Sequence, residues 1–350
     1  MNVMARSRFS ALLILGLIPI GLGFGMLWHP AGLDLLSDWV AVYLLPLFFF
    51  GVGAELRGEF VSGYFVSRRN LVAPGVAATL GVAAPALLYF LFAGPSGGGW
   101  AVPTATDITI GLAVLALARP SLSSTLRPRF LALATIDDVI ALIILATVFS
   151  QSVQPLAAML VIASVLLVYL TQKLKGSLRF IGLPFAASAF VFCALAGIQT
   201  SLVGVALGLV FVSRRNLSII QELNSWVVLP LFTFFVSASA GASLGAGVSL
   251  AVLFGLLLRP IGKFLGIAIG GAVTSKLFGN KSELKSWSII GVLGGIGFTV
   301  SLLLARLAFK TDEAGYVAAV LATLAATCIS AVVFLFISRS RQEHRDERSL

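Results

Sequence analysis

Residues Phe130–Phe149 read FLALATIDDVIALIILATVF. Apart from two threonines, only Asp137 and Asp138 interrupt the apolar run. The stretch is long enough to cross a bilayer, which takes about 20 residues of helix. At about 1.5 Å per residue, both carboxylates lie roughly 12 Å of helix from Arg129, the nearest flanking base. Placing an ionised Asp at such depth costs at least about 2.5–3.5 kcal/mol. Packing alone gives no reason for two in succession, so the pair marks a functional site.

The surrounding chain has the same character. Of 350 residues, 59% are hydrophobic and 11% charged. Soluble domains carry about 25% charged residues. The composition predicts an all-α polytopic membrane protein with twelve spans, near 10–28, 39–54, 72–93, 100–118, 130–149, 155–171, 179–195, 198–212, 226–243, 248–272, 287–307 and 316–337. Met1–Trp28 reads as a retained first span, since no small-residue cleavage site follows it. The loops are too short for a soluble domain, and 338–350 reads as a charged, disordered cytoplasmic tail. One transmembrane domain, 1–337, is left.

Lys and Arg give the orientation. Arg6 and Arg8 precede the first span, and the bases that follow spans 2, 4, 6, 8, 10 and 12 bring one side to 20 of the 24. Arg306 and Lys310 fall on the other side, and Arg259 and Lys263 fall inside span 10. The positive-inside rule makes the rich side, with both termini, cytoplasmic. The net charge of +10 is therefore topology and needs no nucleic-acid partner. Cys193 and Cys328 lie within spans and have neither disulfide nor metal-site context.

An internal echo suggests how the spans are arranged. Trp39-Val-Ala-Val-Tyr-Leu-Leu-Pro46-Leu47-Phe48 in span 2 resembles Trp226-Val-Val-Leu-Pro230-Leu231-Phe232 in span 9. An even-numbered span repeating an odd-numbered one implies copies of opposite direction, the inverted-topology build of many secondary transporters. Span 4 is interrupted by Pro103-Thr104-Ala105-Thr106-Asp107, and span 11 by Gly294-Gly295-Ile296-Gly297-Phe298-Thr299. Broken helices in corresponding halves point to a binding site near the midplane. Unpaired backbone at that depth must face protein or a water-filled cavity.

Of 14 acidic residues, Asp107, Asp137 and Asp138 lie well inside spans. Glu55 and Glu59 sit at the cytoplasmic end of span 2, as interface charges or as a gate or sensor. Neighbouring helical residues point about 100° apart, so Asp137 and Asp138 serve different partners. One can meet a base on span 10, where Arg259 and Lys263 share a face; the other can face the break that bears Asp107. A buried carboxylate favours its neutral form, and a nearby ammonium favours its ionised form. Such a cluster titrates as a unit. It can hold a proton or a small cation, each disfavouring the other, which is the basis of ion exchange. Asp138 and Asp107 offer carboxylates to a hard monovalent cation, and Thr106 a hydroxyl or carbonyl. A softer metal would want His or Cys, and His29 and His344 lie outside the spans. Gly295, Gly297 and Thr299 supply the backbone of the second break or serve close packing.

These segments resemble the NhaA family of Na+/H+ antiporters, itself a type example of the inverted-repeat architecture. The matching stretches are Ala101-Val-Pro-Thr-Ala-Thr-Asp107-Ile, Leu131-Ala-Leu-Ala-Thr-Ile-Asp137-Asp138, Leu229-Pro-Leu-Phe232, Gly262-Lys263-Phe-Leu-Gly266-Ile267 and Gly295-Ile-Gly-Phe-Thr299. Gly53-Ala-Glu55-Leu-Arg-Gly-Glu59 is similar to the family's acidic segment after span 2. The resemblance covers about 40–335. It implies that Asp138 binds the transported Na+ or Li+ and exchanges protons, that Asp137 pairs with Lys263, and that Asp107 and Thr106 sit where the broken helices cross. It also implies electrogenic exchange, a moving core of 72–149 and 248–337, a scaffold of 10–71 and 155–243, and the bacterial inner membrane. No cofactor is expected; the substrates are Na+, Li+ and H+, and a homodimer is compatible with the sequence. Three features depart from the family. Segment 213–225 lacks the histidines associated with pH response, span 2 lacks a polar start, and Arg259-Pro260 competes with Gly262-Lys263 for the basic position.

Rival readings predict other residues. A proton- or sodium-coupled organic-solute carrier on a similar fold needs a larger polar site, and an inactive paralogue stays open. An intramembrane aspartyl protease needs a Gly-x-Gly-Asp element, which none of the buried Asp residues occupies. A passive channel has no use for adjacent titratable acids beside an internal base.

Overall fold

The computed structural model describes residues 3–28, 32–62, 68–94, 97–118, 120–150, 153–174, 180–211, 214–278 and 284–346. Arg119, Lys175, Arg179, Lys281 and Arg348, among the loop bases, and His29 lie outside the described residues. The secondary structure of the described residues is helical, without strands.

The chain runs α1 (Val3–Leu27), α2 (Leu33–Ser62), α3 (Arg68–Ala93), a 3-10 helix at Gly97–Thr104, α4 (Ile108–Ala116) and α5 (Pro120–Val148). Next come α6 (Pro155–Thr171), α7 (Gly182–Leu195), α8 (Thr200–Phe211), α9 (Arg214–Leu223), a π-helical turn at Asn224–Val228 and α10 (Leu229–Ala242). A 3-10 turn, Ser243–Ala246, leads to α11 (Leu250–Leu257), α12 (Arg259–Leu277), α13 (Leu284–Gly294), α14 (Thr299–Ala308) and α15 (Glu313–Asp346). Six helical stretches among the described residues are long and apolar enough to cross a bilayer, or seven if the bent pair α13–α14 counts as one. Other expected spans fall on shorter apolar helices, including α6, α7 and the stretch Thr200–Val210 of α8. Length and composition therefore establish a multi-pass protein and stop short of twelve spans.

Both expected interruptions are present. The 3-10 helix ends at Thr104, and α4 begins only after the non-helical residues Ala105–Asp107. α13 ends at Gly294 and α14 starts at Thr299, with a bend of 52° between them. A third break, at Leu258 between α11 and α12, was not expected. Pro260 explains it, since it has no N–H for the helical ladder and is tolerated in a first turn.

The tail departs from expectation. α15 continues to Asp346, so 338–346 is helical rather than disordered. No Gly or Pro separates Ser338 from the apolar helix, and extending an existing helix needs no new nucleus. Residues 347–350 lie outside the described residues.

Small residues set the closest packing. On α12, Gly262, Gly266 and Gly270 face α3, where a Cβ would strike Pro85, the Leu80 carbonyl and Ala77 respectively. This stripe of small residues at four-residue spacing brings two backbones together and holds the intervening Lys263 against the core. Two further crossings match each other. Gly21 of α1 lies against the Phe234 carbonyl and the Ala238 amide of α10. Gly208 of α8 lies against the Phe50 carbonyl and the Ala54 amide of α2. Phe50 and Ala54 stand as far beyond Pro46 as Phe234 and Ala238 stand beyond Pro230. Outward faces stay apolar, with Leu91, Ile162, Phe254 and Val332 exposed, as a hydrocarbon surrounding allows.

Candidate functional site

The two breaks meet at Asp107. Its backbone N–H donates to the Ile296 carbonyl at 2.8 Å. Its Oδ1 accepts from the Ile110 amide at 2.9 Å, capping α4. Its Oδ2 accepts from the Thr299 amide and hydroxyl, at 3.2 and 3.0 Å, at the start of α14. One carboxylate thus serves the first turns of two helices, where N–H groups lack intrahelical acceptors and the dipole favours negative charge. Carbonyls on the opposite sides of the breaks are met as well. Thr106 Oγ1 donates to the Gly294 carbonyl at 3.0 Å, and Thr327 Oγ1 to that of Gly297 at 2.7 Å. Arg259 Nη2 donates to the Ala105 carbonyl at 2.9 Å. Gly297 has no room for a side chain, because a Cβ there would coincide with the Arg259 guanidinium. Gly295 lies under Ser330 and Pro260 in the same way.

α5 divides its two acids as the helical offset requires. Lys263 Nζ contacts both carboxylate oxygens of Asp137 at 2.8 Å, and the two side chains are 0% exposed. Between the two candidate bases, Lys263 holds the acid. Arg259 holds backbone instead, and its Nε and Nη1 have no hydrogen-bond partner among the described residues. Asp138, 9% exposed, has no hydrogen bond or ion pair within the described protein. It faces a cavity of about 60 Å3 together with Thr106, Asp107, Thr299 and Glu55.

Glu55 reaches this cavity from α2, and its Oε1 accepts from Gln221 Nε2 at 2.8 Å. Glu59, one turn further along α2, is not among the lining residues. The remaining wall comes from a region the sequence did not mark, with Gly51 of α2 and Gln221, Asn224 and Ser225 around the π-helical turn. The available signal was the run of polar residues just ahead of the repeated Leu-Pro-Leu-Phe segment, and it is a weak one. The arrangement is a buried, compact set of oxygens around one unengaged carboxylate. Among the described residues no group of three or more His, Cys, Asp or Glu side chains converges on one point.

Residues 5–337 match the family described as Na+/H+ antiporter 1. The chain belongs to this antiporter family. It is similar to the Na(+)/H(+) antiporter NhaA of Tropheryma whipplei (strain Twist), with 32% identity across 97% of this chain and 95% of the relative. It also resembles Na(+)/H(+) antiporter NhaA 2 of Kineococcus radiotolerans, 33% identical over 92% of this chain and 77% of that protein. Na(+)/H(+) antiporter NhaA 2 of Clavibacter michiganensis subsp. michiganensis is 34% identical over 90% and 83%. Membership makes the chain a multi-pass transporter rather than a catalyst. The family match ends at residue 337, where the apolar part of α15 gives way to charge. Asp107, Asp137, Asp138 and Lys263 all lie inside it.

Proposed function

We propose that the chain is a secondary active antiporter that exchanges Na+ or Li+ for protons at Asp138. One observation carries this reading: of three buried acids, Asp138 alone is unengaged and faces the cavity. Asp137 is balanced by Lys263, and Asp107 by the amides and hydroxyl it accepts. Asp138 is then the negative charge left without a local partner. A proton or a small cation satisfies it equally, and each excludes the other. Asp107 and Thr106 offer further oxygens beside it, with water completing the shell.

The cavity lies near Arg57, whose Nη1 donates to the Leu209 and Val210 carbonyls at 3.1 and 2.8 Å. This is the Arg-rich end of α2 and α8, which the positive-inside rule assigns to the cytoplasm, and Glu55 of the lining lies two residues from Arg57, so the proposal places cation entry on that side. In the exchange cycle, Na+ enters from that side, displaces the Asp138 proton and is carried outward as the body containing α3–α5 and α11–α15 moves against the rest. The second proton of an electrogenic cycle of two protons per cation is assigned to the Asp137–Lys263 pair.

Inverted repeats are supported by the matched crossings of Gly21 on α10 and Gly208 on α2, placed alike relative to Pro230 and Pro46. With the alternation of loop bases, they favour twelve spans, both termini cytoplasmic and a bacterial inner membrane. A carrier of organic solutes is disfavoured, since a cavity of about 60 Å3 is far below the ~300–1,000 Å3 of organic-ligand pockets. The deciding experiment is ΔpH dissipation in vesicles on addition of Na+, Li+ or K+. Na+ and Li+ should drive proton movement; none between pH 6 and 9 would overturn the proposal.

A further inference from the structure

The cavity's α9–α10 wall includes a residue whose side-chain oxygen has no hydrogen-bond partner among the described residues. Asn224 opens the π-helical turn between α9 and α10. Such turns add a residue to the helical ladder and recur at functional sites. Asn224 is 7% exposed and lines the same cavity as Asp138, Asp107 and Thr106. Its Nδ2 donates to the Phe48 carbonyl of α2 at 3.3 Å, which orients the amide. Oδ1 has no hydrogen-bond partner among the described residues. Buried polar atoms are nearly always paired, so an orphan in a site asks for a ligand.

The neighbourhood is shaped around this side chain. A Cβ on Gly51 would collide with Asn224 Nδ2, so α2 leaves space where the amide lies. The acid on this wall, Glu55, is already engaged by Gln221. A lone-pair oxygen with no donor suits a cation. Hard cations take carboxylate, carbonyl, amide and water oxygens. With no cluster of three or more acidic, His or Cys ligands among the described residues, a cation at Asp138 needs neutral oxygens to fill its shell.

We infer that Asn224 Oδ1 is a neutral ligand for Na+ or Li+ on the α9–α10 wall, facing Asp138 across the cavity. This rests on the antiport reading above and adds that the cation site is built from both sides of the cavity. The experiment is Na+- and Li+-driven proton movement in vesicles for the full chain, Asn224→Ala, Asn224→Ser and Asp138→Asn, with cation concentration varied. Asn224→Ala should raise the half-saturating Na+ concentration by roughly three- to tenfold, the loss expected for one neutral ligand. Asn224→Ser keeps an oxygen and should show a smaller rise; it also serves if the Ala variant fails to insert. Unchanged half-saturation in either variant, with the unaltered chain active and Asp138→Asn inactive, overturns the Asn224 assignment alone. An unaltered chain without cation-driven proton movement overturns the antiport reading and this inference with it.

Discussion

Lys263 Nζ stands 2.8 Å from both carboxylate oxygens of Asp137, while Asp138, the next residue, has no partner within the described protein. Two acids of identical chemistry are thereby given different surroundings by about 100° of helix rotation. One is balanced in a buried pair, and the other faces the cavity unengaged.

Asp138→Asn should abolish exchange, because the amide can neither release a proton nor supply a negative charge. Proton movement in vesicles on Na+ addition checks this. Full activity in the variant would remove Asp138 from the site.

Lys263→Ala leaves Asp137 buried without its partner, an arrangement that costs about 3–5 kcal/mol. Thermal unfolding in detergent should show a clear fall in midpoint. Asp137→Ala with Lys263→Ala should recover much of it, since neither charge is then stranded. A double variant as unstable as the single one would contradict the pairing.

Asp107→Ala removes the cap of α4 and the contacts to Thr299. Loss of a cap costs about 0.5–2 kcal/mol, and the two breaks lose their shared anchor. Thermal stability should drop and the half-saturating Na+ concentration should rise together. Asp107→Asn retains an acceptor and should be milder in both measurements.

The proposed site has proton and cation competing for one carboxylate, which predicts that the half-saturating Na+ concentration rises as pH falls. The sign follows from occupancy: lower pH fills Asp138 with protons. The limit for a single competing proton is about tenfold per pH unit, or about 1.36 kcal/mol. Half-saturation that is flat across pH 6–9 would argue against a shared site.

Gly297→Ala should fail for a different reason, because its Cβ would occupy the place of the Arg259 guanidinium. Overpacking of this kind typically costs about 1–3 kcal/mol. Arg259→Ala should partly restore the folded protein in that background, as read by its yield and thermal midpoint. An unaffected Gly297→Ala would show that the guanidinium can readily move away.

Much of this was legible in the sequence because it depends on local properties. Twenty residues of apolar chain, a Pro-Thr-Ala-Thr-Asp interruption and a run of glycines each state their consequence within one segment. The antiporter family also follows from such segments and their order. The break at Leu258 is not legible in the sequence because a proline inside a long apolar run can also kink a helix that continues through it. The helix over 338–346 is not legible in the sequence because charge is compatible with disorder and with a helix continued from its apolar neighbour. Asn224 does not stand out in the sequence, since a single amide near a helix start has many ordinary uses.

The sequence by itself determined that acids are buried, that two adjacent ones point apart, and that bases of span 10 could meet one of them. The choice between Lys263 and Arg259 was made only in three dimensions. The two bases lie one turn apart on the same helix, so chain order cannot rank them. The close approach of α12 to α3 and the meeting of two helix breaks put Lys263 beside Asp137 and Arg259 on the Ala105 carbonyl. Distances between groups remote in the chain depend on how helices pack, and no local pattern encodes them.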